Sequence, residues 1–145
     1  MHSIVRIAGT LCVVAGLAAC SSMTTINSRS PQTTLVVKDQ ATNVPSTVRM
    51  KDTSFGNYEF KAQSSGADPF YGVLPLKFHG GRLAADILFF APAAFFNLRG
   101  VFPYYEVDAE QGVIRYKNNA ADAWHEYRPT AEERERARRF FGAAN

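Results

Sequence analysis

Tyr104-Tyr105-Glu106-Val107-Asp108, then Ala109-Glu110-Gln111-Gly112, then Val113-Ile114-Arg115-Tyr116-Lys117 is the stretch from which the fold is read. Both flanks are rich in β-branched and aromatic residues, and the link between them is short and ends in glycine. That is the pattern of a β-hairpin. Outward toward the N-terminus the same punctuation recurs. Val73 to Phe78 reads as a strand that Pro75 confines to a sheet edge. Ser64 to Pro69 is a loop, and Asn57 to Lys61 alternates with Tyr58 and Phe60 on one face. Ser46 to Met50 alternates after Pro45, and Thr33 to Lys38 is a β-branched run that stops at Asp39-Gln40-Ala41-Thr42-Asn43. Toward the C-terminus, Trp124 to Tyr127 adds one more short strand.

Residues 130–141 read as a helix. Thr130 and Glu133 have capping-box spacing, and Glu132–Arg136 and Glu135–Arg139 are i,i+4 pairs in the favourable order. Acids lead, arginines follow and Gly142 closes, as the helix dipole prefers. The four arginines offer a patch for anionic lipid or a partner. The favoured reading is a solvated helix docked through Ala137, Phe140 and Phe141.

The chain has 145 residues, 16 Lys+Arg against 13 Asp+Glu, 46% apolar residues and two cysteines. This is too apolar for a disordered tail and long enough for one domain. A net charge of +3 without a basic block argues against a nucleic-acid partner.

The first residues have a different character. Arg6 is followed by an apolar run, Ile7 to Leu17, and then by Leu17-Ala18-Ala19-Cys20. A basic start, a short apolar core and small residues before a cleavage point make a secretory signal peptide over residues 1–19. The core is too short to span a bilayer, which takes about 20 residues. Leu17-Ala18-Ala19-Cys20 resembles the lipobox of bacterial lipoproteins. The resemblance implies cleavage between Ala19 and Cys20, a thioether-linked diacylglycerol and an N-acyl chain on Cys20, and a protein held to a membrane by that lipid. Ser21 in the position after the cysteine implies the periplasmic face of the outer membrane. Cys12 lies in the leader, so the mature chain keeps no thiol for a disulfide.

Ser21 to Pro31 is small, polar and unpatterned, and residues 20–31 read as a lipidated cysteine with a flexible tether reaching at most about 36–40 Å. The domain proper is expected over residues 32–141. Its first part, Ile26 to Lys61, resembles PEGA-type small β-domains of bacterial surface and periplasmic lipoproteins. The matching features are Ser30-Pro31, Leu35-Val36-Val37-Lys38-Asp39, Val44-Pro45-Ser46 and Gly56-Asn57-Tyr58-Glu59-Phe60. Gln32-Thr33 and Thr42-Asn43 depart from the family's glycine-containing turns. The resemblance implies a small antiparallel β-sandwich used for binding or spacing.

Aromatic residues are concentrated: ten of the 18 fall between Phe70 and Tyr105. Within that window, residues 82–98 are apolar nearly all round. Pro92 would split a helix there, and the uncharged run from Ile87 to Leu98 would span only about 18 Å, so it does not cross a membrane. It is either a helical insertion forming core, the favoured reading, or a surface through which Phe89, Phe90, Phe95 and Phe96 contact membrane or a partner.

Candidates for chemistry are weak. His79-Gly80-Gly81 is similar to an esterase backbone-donor loop, but no nucleophile elbow accompanies it. His125 and Glu126 are neighbours in a strand and diverge. No metal-ligand cluster, phosphate loop or dinucleotide fingerprint is present. The sequence therefore predicts an α+β fold, a small antiparallel sheet or sandwich with an apolar helical insertion and a C-terminal helix. It predicts no enzyme, no cofactor beyond the covalent lipid, no metal and no small-molecule substrate. The expected role is a structural or interaction lipoprotein with an envelope protein partner. The alternative is an inhibitor or immunity lipoprotein that blocks a periplasmic toxin or hydrolase with Ser64–Pro69 or the hairpin tip Glu110-Gln111-Gly112.

Overall fold

The computed structural model describes residues 21–51, 56–78 and 99–142. Among the described residues eleven strands precede one helix: β1 Ser21–Ser28, β2 Thr34–Val37, β3 Gln40–Asn43, β4 Ser46–Lys51, β5 Glu59–Gln63, β6 Phe70–Val73, β7 Leu76–Phe78, β8 Arg99–Val101, β9 Tyr104–Asp108, β10 Val113–Lys117, β11 His125–Tyr127 and α1 Ala131–Phe140. They form a five-stranded sheet in the order β11-β10-β9-β1-β4, a four-stranded sheet in the order β3-β2-β5-β6, and the ribbon β7-β8. The expected α+β, sandwich-like class is what is observed. All pairings are antiparallel except β1 with β9, which run parallel.

One core joins the two sheets. Strand alternation turns Ile26, Leu35, Val37, Phe60, Ala62, Tyr105 and Val107 inward. Phe60 and Phe70 meet edge-on at 5.1 Å, a favoured aromatic geometry. The Tyr105 hydroxyl is inside as well; it donates to the Pro75 carbonyl at 2.6 Å and accepts from the Phe102 amide at 2.9 Å. Burial pushes this phenol up from its ordinary value, and the two bonds fix where β7 and β8 leave the body of the fold.

The hairpin Tyr104–Asp108 and Val113–Lys117 forms where the sequence places it, with Val113 opposite Asp108. Other expectations are corrected. Residues 21–31 are not a flexible tether: Ser21–Ser28 is β1, inserted between β9 and β4. Its small polar residues fit because alternation buries only Thr24 and Ile26, both fully, and the Thr24 hydroxyl donates to the Phe102 carbonyl at 2.7 Å. The fold thus takes in Ser21–Ser28, ahead of the expected boundary at residue 32. Gln40–Asn43 is an edge strand, because a two-residue turn at Lys38-Asp39 brings Gln40 opposite Val37, with Lys38 taking φ 53°. Leu74-Pro75 ends β6 and separates it from β7.

Helix α1 carries the expected capping box at Thr130 and Glu133 and both i,i+4 pairs, at 3.5 and 3.8 Å. It packs on β6 through Ala137, and Phe141 reaches the Tyr71 ring. Phe140 does not dock as expected; it is 52% exposed. The helix protects β6, which would otherwise be an open edge. Gly72 permits this approach: a Cβ there would lie 2.6 Å from Pro129 Cγ.

Candidate functional site

Cys20, Ala19, the leader 1–19, His79, the apolar segment 82–98 and Phe89, Phe90, Phe95 and Phe96 lie outside the described residues. What the fold does fix is where the chain positions bordering them stand, and β1 is the ruler.

The parallel register of β1 with β9 runs from Thr25↔Tyr104 to Ser28↔Val107. Thr24 bonds to the Phe102 carbonyl and the Thr25 amide to that of Pro103, so β8, immediately before Phe102, lies against β1 toward the Ser21 end. Three residues back from Thr24 is Ser21, and three back from Phe102 is Arg99, a distance of about 10 Å along each strand. Arg99 pairs with Phe78. The rung Phe78–Arg99 is the last pair of the ribbon among the described residues. On the other side of β1, Lys51 stands opposite Ser21 and Arg49 opposite Met23.

This end of the molecule has a distinct surface. Met23 and Phe78 are 52% and 61% exposed, two of the exposed large apolar side chains among the described residues. Leu76 and Val101, which share the Phe78 face of the ribbon, pack into the core. The apolar stripe of the ribbon therefore runs past the core into the open. Arg49 is exposed across from Met23, and Arg99 is the cross-strand partner of Phe78.

Seven strand residues away, about 23 Å, lies the opposite end. There the Arg29 amide donates to the Val107 carbonyl. The hydroxyls of Ser28, Thr33 and Ser64 are linked at 2.7 and 2.9 Å. This cluster pins the loop Ser64–Pro69 to the end of β1. The tip Ala109–Gly112 is at the same end: Asp108 Oδ1 accepts from the Gln111 amide at 3.0 Å, Arg128 donates to the Gln111 carbonyl at 2.7 Å, and Gly112 faces the Phe70 ring. The two loops singled out in the sequence thus adjoin.

Elsewhere the polar groups hold the fold rather than assemble chemistry. Arg115 donates to Glu106 at 2.9 Å and to Glu126 at 2.8 Å, with Asp108 at 3.9 Å; these hydrogen bonds to Glu106 and Glu126 push its pKa further up. The exposed His125 ring stacks on Tyr116 at 5.5 Å while Glu126 turns to Arg115, so the two do not form an acid–base pair. An open groove of about 410 Å³ lies where β4 and the β2–β3 hairpin fail to pair, lined by Val37, Ala41, Val48 and Met50 among others. Among the described residues no three metal-ligating side chains gather.

Comparison of the chain with protein-family models, with curated proteins and with solved structures returns no match. The sequence missed Met23 and Phe78 as surface features. The signal for Met23 was parity: it lies three positions from Ile26 and so faces the opposite way in a strand.

Proposed function

We propose that this chain is an envelope lipoprotein, attached through lipid on Cys20 to the periplasmic face of the outer membrane. Its β-sandwich serves as an interaction module for another envelope protein. The observation that supports this best is the start of β1 at Ser21, one residue after the lipobox cysteine. A lipid on Cys20 would be joined to the central part of a sheet without slack. The body would then stand on the leaflet, and the loops Ser64–Pro69 and Ala109–Gly112 would be held about 23 Å above it. Two or three acyl chains, at about 0.8 kcal/mol per buried methylene, make dissociation negligible. The protein acts by placement, with no catalytic step.

The adjacency of the two loops also favours a second reading, in which that end blocks an incoming periplasmic enzyme. Fractionation of cells expressing Cys20→Ser tests the anchor: the variant should move from the membrane to the soluble fraction, and continued membrane association overturns single-point attachment. Crosslinking from Gly66 then separates the two readings. A stoichiometric resident envelope protein supports the first, and an exogenous enzyme supports the second.

A further inference from the structure

We infer that the open edge between β4 and the β2–β3 hairpin is a docking site for an extended segment of another protein, which joins the sandwich as an added strand. The site is built from described strands alone and does not depend on lipid at Cys20. Hydrogen-bond parity decides which backbone groups it offers. The Thr25 amide bonds to the Pro103 carbonyl, so the odd-numbered residues of β1 turn their amides and carbonyls to β9. Thr24 and Ile26 turn theirs to Val48 and Ser46. Along β4, the amides and carbonyls of Thr47 and Arg49 therefore point away from β1, about 7 Å apart. The same parity holds in β3. The Lys38 amide bonds to the Glu59 carbonyl, so Leu35 and Val37 bond to Thr42 and Gln40, and Ala41 and Asn43 point outward. Both strands are the last in their sheets, and among the described residues no backbone bond reaches these outward groups.

The occupant follows from these groups. Rows of open donors and acceptors at that spacing are matched by another extended backbone; a helix bonds its own, and an acyl chain has none. The groove of about 410 Å³ at this edge is lined by Val37, Ala41, Val48 and Met50 among others, so the alternate residues of the added strand that face it are apolar. At the rim Arg49 is exposed, and no ion pair among the described residues includes it. An acid in the facing position of the added strand would answer it. A second copy of the chain cannot supply that acid through either open edge, since Ser46–Lys51 and Gln40–Asn43 contain none. The other edges are guarded: α1 lies on β6, and β11 has only three residues. The fitting partner is therefore an extended segment that alternates apolar side chains with polar ones and carries an acid among the latter.

The test uses the purified full chain and a synthetic peptide in which valine alternates with threonine and glutamate. In the protein alone, hydrogen exchange followed by nuclear magnetic resonance should show fast amides at Thr47 and Arg49 on either side of a slow one at Val48. Adding the peptide should slow Thr47 and Arg49 about tenfold or more and leave the amides of Gly66 and Gln111 unchanged. Exchanging glutamate for lysine in the peptide should weaken binding, and Arg49→Glu should reverse that preference. Thr47→Pro removes an outward donor without touching the bonds to β1 and should weaken binding about fivefold. Methylating alternate amides of the peptide makes the same subtraction on the other partner, so the result does not hang on that variant folding. Edge amides already slow in the protein alone, or slowed with rising protein concentration as dimers form, overturn the proposal. So does a peptide that binds without slowing them, or one that fails to bind while they stay fast.

Discussion

Replacing Ile26 by alanine distinguishes a folded β1 from a tether more sharply than any other change. Ile26 is fully buried within the cluster that also holds Leu35, Phe60, Tyr105 and Val107. Its strand is hydrogen-bonded on both sides, so the site cannot collapse around the cavity easily. Isoleucine-to-alanine changes in such cores cost about 2–5 kcal/mol, and a central value of about 3 kcal/mol is appropriate here. Small domains are stable by about 5–15 kcal/mol, so the loss is large. The assay is urea unfolding of the purified protein, followed through the single tryptophan, Trp124. The midpoint should fall with an unchanged slope. Met23→Ala, three residues earlier and exposed, should stay within about 0.5 kcal/mol. A solvated tether would make the two variants alike. An Ile26→Ala cost below about 1 kcal/mol would refute the placement of β1.

The remaining predictions concern parts that position the two ends. Tyr105→Phe strips a donor from the Pro75 carbonyl and an acceptor from the Phe102 amide, and should cost about 1–3 kcal/mol in the same unfolding assay. Tyr105 and Tyr127 are both raised above the ordinary tyrosine value of 10.0, Tyr105 by burial and Tyr127 by burial and then Glu133. The unfolded chain therefore releases these protons first. The stabilisation is full below pH 10 and is lost as pH climbs toward the folded-state values. Alkaline unfolding monitored by far-ultraviolet circular dichroism should steepen above pH 10 and flatten in the double phenylalanine variant. Gly72→Ala drives a methyl into Pro129 and Phe60 and should destabilise by about 1–3 kcal/mol, read as a lowered urea midpoint. Thr130→Ala removes the cap that accepts from the Glu133 amide and should cost about 1 kcal/mol, visible as faster amide exchange in the first turn of α1.

The sequence was most legible where local chemistry and tertiary environment agree. The β9–β10 hairpin is a local pairing across a short link, and the α1 cap is a contact between residues three apart. Each therefore shows in a window of a few residues. Strand β1 was misread because its partners, β4 and β9, lie far along the chain and its inward face holds only Thr24 and Ile26. Such composition is shared by loops and by half-polar strands, and only the hydrogen bond from Thr24 to Phe102 reveals how a buried hydroxyl is satisfied. Gln40–Asn43 was hidden for the related reason that an edge strand with one solvated face needs few apolar residues. The loops Ser64–Pro69 and Ala109–Gly112 were visible singly, but their adjacency depends on the Ser28, Thr33 and Ser64 hydroxyls and on Phe70 against Gly112. Phe78 was not legible, because an apolar letter in a sequence predicts burial until the register is known, and the parity of Met23 with Ile26 speaks only once β1 is recognised as a strand.

The proposed role requires a covalent lipid on Cys20, next to the first residue of β1. Mass spectrometry of the N-terminal peptide from purified membranes tests that most directly. The predicted result is a peptide beginning at Cys20 that carries diacylglycerol and an amide-linked acyl chain. A peptide with a free thiol at position 20, or one still bearing residues 1–19, would contradict it.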